Sequence, residues 1–253
     1  MYQRQRKILD ILQKGKLTIR ETARELGVTE MTLRRDLKSL EERKLILMVK
    51  GGAVLHPARY EPETDNLSDS SMDCKFAIAN ALYEYIMPAN SIFISAGSTS
   101  LAFAKVIARR NHLPMTVITN SLPVASTLFR SCCKVILLGG ELRTHSLDLT
   151  GPIAEKNLEE YQVDWLISGC DAALSDYGFY TSDVSVSNLE KKSLQIASKA
   201  AIITASSKFG RRALTRFATL DDIDLLVTDE QLSAPDETAI RHAGVEMIKV
   251  TLP

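Results

Sequence analysis

The chain has 253 residues, 45% hydrophobic and 25% charged, with 31 Lys and Arg balancing 31 Asp and Glu. This is the composition of a soluble globular protein of one or two domains. The longest uncharged run, between Glu84 and Lys105, holds Pro88, Asn90, Gly97 and four serines, which argues against a membrane span.

The N-terminus, MYQRQRKILDIL, lacks the apolar stretch and cleavage site of a signal peptide, so the cytoplasm is the expected compartment. Charge is unevenly spread. Residues 1–59 carry 14 Lys and Arg against 7 Asp and Glu, and the remainder carries 17 against 24. A basic head on an acidic body directs attention to a polyanion met by the head alone.

The first predicted helix places Ile8, Leu9 and Leu12 at helical spacing and ends at Gly15. A second follows in TIRETARELGV, with Thr18 as N-cap, Glu21 three residues on as a capping box, an apolar stripe of Ile19, Ala23 and Leu26, and Gly27 as terminator. Thr29 caps a third helix. Helix, short glycine turn and helix is the helix-turn-helix plan. LILMVKGGAVLHP then reads as two strands around a Gly-Gly turn, a wing ending near Pro57. Residues 58–73 are polar and acidic and read as a linker.

From residue 74 onward, apolar strand runs alternate with helical patterns. The strand candidates are SIFISA, MTVIT, KVILLGG, DWLISGC, AAIITA, DLLVTD and VEMIKVT. The helix candidates are KFAIANALYEYI, STSLAFAKVIARR, LPVASTLFRS, AEKNLEEY and SNLEKKSLQIASK. Near-continuous apolar strands between helices predict an α/β domain with a mostly parallel sheet covered on both faces. The expected organisation is therefore a winged helix-turn-helix domain at 1–57, a linker at 58–73, and an α/β domain at 74–253.

The third helix carries the sharpest chemistry. With Met31 at 0° and about 100° per residue, Arg35 falls near 40° and Lys38 near 340°, while Leu33, Leu37 and Leu40 cluster near 200°, 240° and 180°. A leucine stripe for the core thus lies opposite Met31, Arg35 and Lys38, flanked by Thr32 and Arg34. In a helix-turn-helix this helix enters the major groove of duplex DNA and leads with its N-terminal residues. Arg35 suits guanine O6 and N7, Arg34 and Lys38 suit phosphates, Thr29 and Thr32 either, and Met31 a thymine methyl. Lys50 in the wing adds a charge. The competing reading is a basic helix on a solvated surface.

VTEMTLRRDLKSLEERKLI followed by KGGAVL resembles the DeoR family of bacterial transcription regulators. The matching residues are Val28, Thr29, Thr32, Leu33, Arg34, Arg35, Asp36, Leu37, Leu40, Gly51, Gly52 and Ala53. The wing departs from that pattern at Met48 and Lys50. The residues alone give no reason for Asp36.

In the body, SIFISAGSTSLAFAKVIA runs a strand into Gly97, Ser98, Thr99 and Ser100 at a helix N-terminus. That arrangement suits a phosphate or carboxylate, and equally an ordinary capped strand-to-helix turn. The resemblance extends through TVITNSLPVA, VILLGGELR, LTGPIAEKNL, SGCDA and SSKFGRRA. It implies an effector-binding domain similar to ribose-phosphate isomerases, with Lys75, Gly97, Ser98, Thr99, Asn120, Ser121, Gly140, Asp171 and Lys208 around a phosphorylated sugar or related anion. Ser95, Ser185 and Ala205 stand where the family carries acids. Their combined absence weighs against isomerase chemistry, which needs carboxylate proton shuttles. Arg211, Arg212 and Arg216 read as a ligand or partner contact, or as a solvated basic loop. Asp176 and Tyr180 fall in a loop near the strand ends.

The resemblance implies a DNA-binding regulator, most often a repressor of a carbohydrate-metabolism operon, acting as a homodimer or homotetramer. The alternatives are a sugar-phosphate isomerase with a fused DNA-binding segment, and a regulator without effector response. No cofactor is expected. His56, His112, His145 and His242 are scattered, so no metal is expected either. Cys74, Cys132, Cys133 and Cys170 show no CxxC spacing and read as reduced, mostly buried thiols.

Overall fold

The computed structural model describes residues 3–13, 17–42, 46–49, 51–55 and 69–252. The chain divides into two compact units, Met1–Glu61 and Pro62–Pro253.

The first unit contains α1 (Gln3–Gln13), β1 (Leu17–Thr18), α2 (Ile19–Glu25), α3 (Glu30–Glu42), β2 (Ile46–Val49) and β3 (Gly52–Leu55). The predicted stripes meet in one core of Ile8, Leu12, Ile19, Ala23, Leu33, Leu37, Leu40 and Ile46. The wing hairpin pairs Val49 with Gly52 across its turn. A strand not foreseen from the residues, β1, pairs with β3 to complete a three-stranded sheet. Two residues carry no periodicity, which is why it went unseen.

The capping box expected at Thr18 and Glu21 is absent. Thr18 occupies the N-cap position, but its side chain accepts no cap hydrogen bond. The reason lies in β1: Thr18 is paired with Gly52, and the Ile19 amide donates instead to the Gly51 carbonyl at 3.2 Å. The wing turn thus caps α2.

The second unit opens with α4 (Asp69–Ile86), which begins inside the segment expected to be linker. There follow β4 (Ser91–Ile94), α5 (Ser98–Arg110), β5 (Met115–Thr119), α6 (Leu122–Leu128) and β6 (Cys133–Leu137). A small hairpin, β7 (Glu141–Arg143) and β8 (Asp148–Thr150), precedes α7 (Pro152–Leu158) and β9 (Val163–Ser168). Next come β10 (Ala172–Leu174), β11 (Gly178–Thr181), α8 (Val184–Ile196), β12 (Ala197–Ile203) and β13 (Thr215–Ala218). The unit closes with β14 (Leu225–Asp229), α9 (Ala234–His242) and β15 (Glu246–Val250).

The seven foreseen strand runs form one seven-stranded sheet, in the order β15-β14-β12-β9-β4-β5-β6. Every pairing in it is parallel. Successive side chains on a strand point to opposite faces, and both faces are covered. Ile92, Ile94, Trp165, Ile167, Ala201, Ile203, Leu225 and Val227 pack beneath α4, α5 and α6. Phe93, Leu166, Ile202 and Leu226 pack on the other side with Leu158, Leu189 and Ile240 of α7, α8 and α9. Burial on both faces explains why these strands read as continuous apolar runs.

The unforeseen strands are the short antiparallel ones, β7 with β8 and the sheet β10-β11-β13. The helix α9 was also unforeseen, although Ser233 caps it and Pro235 opens it. The thiols differ from expectation: Cys74 is buried, Cys133 and Cys170 are half-buried, and Cys132 is exposed. Cys132 precedes and Cys133 opens β6, one of the two edge strands of the sheet.

Gly52 admits no side chain, because a Cβ there would stand 1.8 Å from the Leu17 carbonyl oxygen. Gly52→Ala is expected to break the β1–β3 pairing and destabilise the first unit by about 1–3 kcal/mol. Thermal unfolding of the variant against wild type checks this.

Candidate functional site

In the first unit, α3 shows its two sides clearly. Leu33, Leu37 and Leu40 are fully buried, while Met31 is 80% exposed. Arg34, Arg35 and Lys38 are exposed and Thr32 is half-buried. The Thr29 hydroxyl accepts the Thr32 amide at 3.2 Å and lies 2.9 Å from the Thr32 hydroxyl. Thr29 therefore caps the helix as expected, and the pair shares one hydrogen-bonded unit at its start. Lys50 lies outside the described residues.

The turn before α3 is held by backbone alone. The Val28 amide donates to Ala23 at 2.9 Å and the Gly27 amide to Arg24 at 3.2 Å, with Gly27 at φ +64°. This is a Schellman termination, and the positive φ is what demands glycine there.

Asp36 has a role that the residues alone did not reveal. Arg4 on α1 clasps it with two parallel hydrogen bonds, Nε to Oδ2 at 2.5 Å and Nη2 to Oδ1 at 3.2 Å. Gln5 donates to Ser39 at 3.5 Å on the same flank. A contact spanning 32 residues leaves no local signal in the sequence.

In the second unit, chain order reverses between β4 and β9: β5 and β6 are added on one side, β12, β14 and β15 on the other. Open α/β sheets bind ligands in the crevice beyond the carboxyl ends of strands at such a point. The expected effector residues fall on that edge. Gly97, Ser98, Thr99 and Ser100 follow β4, Asn120 and Ser121 follow β5, Gly140 follows β6, Asp171 follows β9, and Lys208 follows β12. Lys75 lies on α4 beside Cys74, whose thiol donates to Asp229 at the carboxyl end of β14, at 3.6 Å.

These residues differ in what they leave free. Asn120 is committed to the scaffold, accepting the Ala96 amide at 3.1 Å and donating to Leu149 at 3.1 Å. Ser121 caps α6 by accepting the Val124 amide. Asp171 accepts the Ser182 amide at 2.7 Å and the Thr181 hydroxyl at 3.3 Å. Gly140 packs against the Thr150 backbone. Gly97 caps α5 without a side chain. Ser100 is fully buried, and its hydroxyl has no hydrogen-bond partner among the described residues.

The turn carrying Lys208 is fixed by Asp229. Its carboxylate accepts the Ser206 amide at 2.8 Å, the Ser206 hydroxyl at 2.6 Å and the Gln231 amide at 3.0 Å. Burial alone would raise Asp229, but these donors hold it below the usual carboxylate range. Burial pushes the nearby Cys170 thiol up to about 12, against the Lys208 ammonium, so neither it nor Cys74, at about 11, offers a thiolate.

Acidic groups prove to be present at the crevice in another form. Glu190 of α8 is 5% exposed and accepts the Ser95 hydroxyl at 2.7 Å and the Ser193 hydroxyl at 3.4 Å. The Ser95 and Ser168 hydroxyls lie 3.1 Å apart, a contact that joins the ends of β4 and β9. Burial raises Glu190 to about 7, opposed by the Ser95, Ser168 and Ser193 hydroxyls and reinforced by Asp148. Asp148, fully buried, is clasped by Arg143 at 2.8 Å, and Arg143 reaches Asp183 at 3.2 Å. Asp183 caps α8 through the Ser185 and Val186 amides. Serine stands at position 95, as read from the sequence, and a buried carboxyl, Glu190, lies behind it. The sequence marked this stretch only as a helix, with no reason to single Glu190 out.

The basic loop is partly tied down. Arg212 stacks on Tyr177 at 5.1 Å and Arg216 donates to the Tyr177 carbonyl at 3.2 Å. Asp176 is exposed, and Tyr180 is half-buried on β11.

Because Glu190 binds its proton more tightly folded than unfolded, its contribution to stability is full below about 4.5 and lost as pH rises through about 7. Glu190→Gln should match wild type near pH 5 and exceed it near pH 8 by about 1–3 kcal/mol. Denaturant unfolding at the two pH values measures the difference.

Comparison with known proteins follows the same division. Residues 4–58 match the DeoR-like helix-turn-helix domain and residues 70–230 the DeoR C-terminal sensor domain. The chain is 30% identical to the HTH-type transcriptional regulator GlpR of Haloferax volcanii, over 97% of this chain and 96% of that one. It is 30% identical to the HTH-type transcriptional repressor CsqR of Escherichia coli K12, over 94% and 91%. Ribose 5-phosphate isomerase A of Methanocaldococcus jannaschii is similar at a TM-score of 0.41 and 16% identity, over 56% of this chain and 55% of that one. A DeoR-type DNA-binding module and a DeoR-type sensor domain, in this order on one chain, make the protein a member of the DeoR family of transcriptional regulators.

Proposed function

We propose that the chain represses genes of carbohydrate use in the cytoplasm, reading double-stranded DNA with α3 and releasing it on binding a small phosphorylated sugar or related anion. The observation that carries the DNA half is the exposed row Met31, Arg35 and Lys38 set against three fully buried leucines. Arg35 offers a planar fork for guanine O6 and N7, Lys38 and Arg34 point charges for phosphates, Thr29 and Thr32 hydroxyls, and Met31 an apolar contact. Lys50 of the wing joins them as a phosphate contact. A repressor among the relatives, CsqR, supports repression. Paired half-sites call for a homodimer or homotetramer.

The sensing half rests on the N-terminus of α5 at the switch point, with the Ser100 hydroxyl, unpartnered among the described residues, beneath Gly97. A helix start favours an anion, Ser98 and Thr99 flank it, and Lys75 and Lys208 supply positive charge. Asn120, Ser121, Gly140 and Asp171 shape the walls. The ligand must bind the DNA-competent and DNA-released arrangements unequally to shift the balance. Residues 58–73 connect the reading and sensing parts.

Glu190 supports a second reading, a sugar-phosphate isomerase, since a carboxyl titrating near 7 at a crevice is what proton transfer uses. NMR of sugar phosphates incubated with the protein separates the two. Steady turnover lost in Glu190→Gln identifies an enzyme, and unchanged substrates identify a regulator.

Arg35→Ala is expected to weaken binding to a selected duplex by about 1–3 kcal/mol and to relax base choice. Lys38→Ala should weaken all sequences alike and flatten the salt slope by about one unit. Fluorescence anisotropy across a salt series reads both, and wild-type affinity in both variants removes α3 as the docking face. Lys208→Ala should retain ligand-free DNA binding and lose release by sugar phosphates. Release at wild-type concentrations in that variant removes Lys208 from the pocket.

A further inference from the structure

We infer that Asp36 is a positioning residue for DNA readout: clasped by Arg4, it sets the roll of α3 about its own axis and so the aim of Arg35 and Lys38. This rests on the DNA-binding reading above and names a determinant of its specificity outside the reading face.

The leucine seam alone does not fix that roll. Apolar burial is non-directional, so the buried Leu33, Leu37 and Leu40 hold α3 on the core without any bond of fixed direction. A rotation of about 20° at a helix radius of roughly 5–6 Å moves the surface by about 2 Å. That is enough to spoil a bidentate contact to a base. The Arg4–Asp36 pair is directional, because two parallel N–H···O bonds lock the planes of both groups. It lies on the flank between seam and reading face, about 140° from Met31 and one residue from Arg35. The Gln5–Ser39 contact, one turn further on, reinforces the same flank.

The burial of the pair fits this role. The Asp36 side chain is 12% exposed and the Arg4 side chain 43%. An unpaired carboxylate beside Arg35 would repel phosphates, and Arg4 cancels that charge where the helix meets a polyanion. Lysine at position 4 would keep the charge but lose the fork.

The test uses the full-length chain. Selection from random duplexes with wild type yields a preferred site, and anisotropy then compares that duplex with a scrambled one over a salt series. Measurements are made at a temperature well below each variant's melting point. Asp36→Asn and Arg4→Lys are each expected to lower affinity for the selected duplex about tenfold or more, with scrambled-duplex affinity and salt slope within about twofold of wild type. A purely structural role would lower the melting temperature and leave the ratio of the two affinities unchanged, which overturns the inference. So does an equal loss on both duplexes with a flatter salt slope in Arg4→Lys and Arg4→Ala, since Arg4 would then be a phosphate contact. Wild type that enriches no duplex removes the DNA-binding reading itself, whereas a selected site retained by Asp36→Asn removes only the positioning role.

Discussion

Where strand order reverses between β4 and β9, the chain segments leaving the two strands turn toward opposite faces of the sheet and leave a crevice that neither covers. The parallel arrangement brings every strand's carboxyl end to the same edge, so loops far apart in sequence converge there. Ser95 and Ser168 join the two strand ends, and Glu190 closes the network from α8. The convergence of Gly97 to Ser100 with Lys208 follows from this topology and needs no further device. Asp229 then holds the Lys208 turn in place with two hydrogen bonds to Ser206.

The smaller unit solves a different problem, presenting a cationic helix without burying its charges. Its apolar seam and its outward row share α3 but no residues. The wing contributes to the frame through Gly51, whose carbonyl receives the first amide of α2. Side-chain capping was the expectation at Thr18, and backbone pairing replaced it. Polar contacts from α1 then add bonds of fixed direction to the frame that apolar packing holds together.

Much of this was readable in the residues, for identifiable reasons. The seven sheet strands are buried on both faces, so their apolar runs stand out, and α5 coincides with the predicted STSLAFAKVIARR. The leucine stripe of α3 shows in its period. The short antiparallel strands β7, β8, β10, β11 and β13 stayed hidden because three or four residues hold no period. Glu190 stayed hidden because a carboxyl next to Lys191 and Lys192 carries no local signal of burial, and only the fold turns it inward. Asp36 lacked an explanation until Arg4 was brought beside it from 32 residues away.

The termination of α2 at Gly27 has a consequence for how such a protein can diversify. Its hydrogen bonds run from the Gly27 and Val28 amides to the Arg24 and Ala23 carbonyls, so the angle between α2 and α3 is stored in the main chain. Met31, Arg35 and Lys38 bear no part of it. Whatever surface those three meet, they are free to be exchanged one at a time at little expense to folding, and the scaffold can acquire new preferences by drift in its outward row alone.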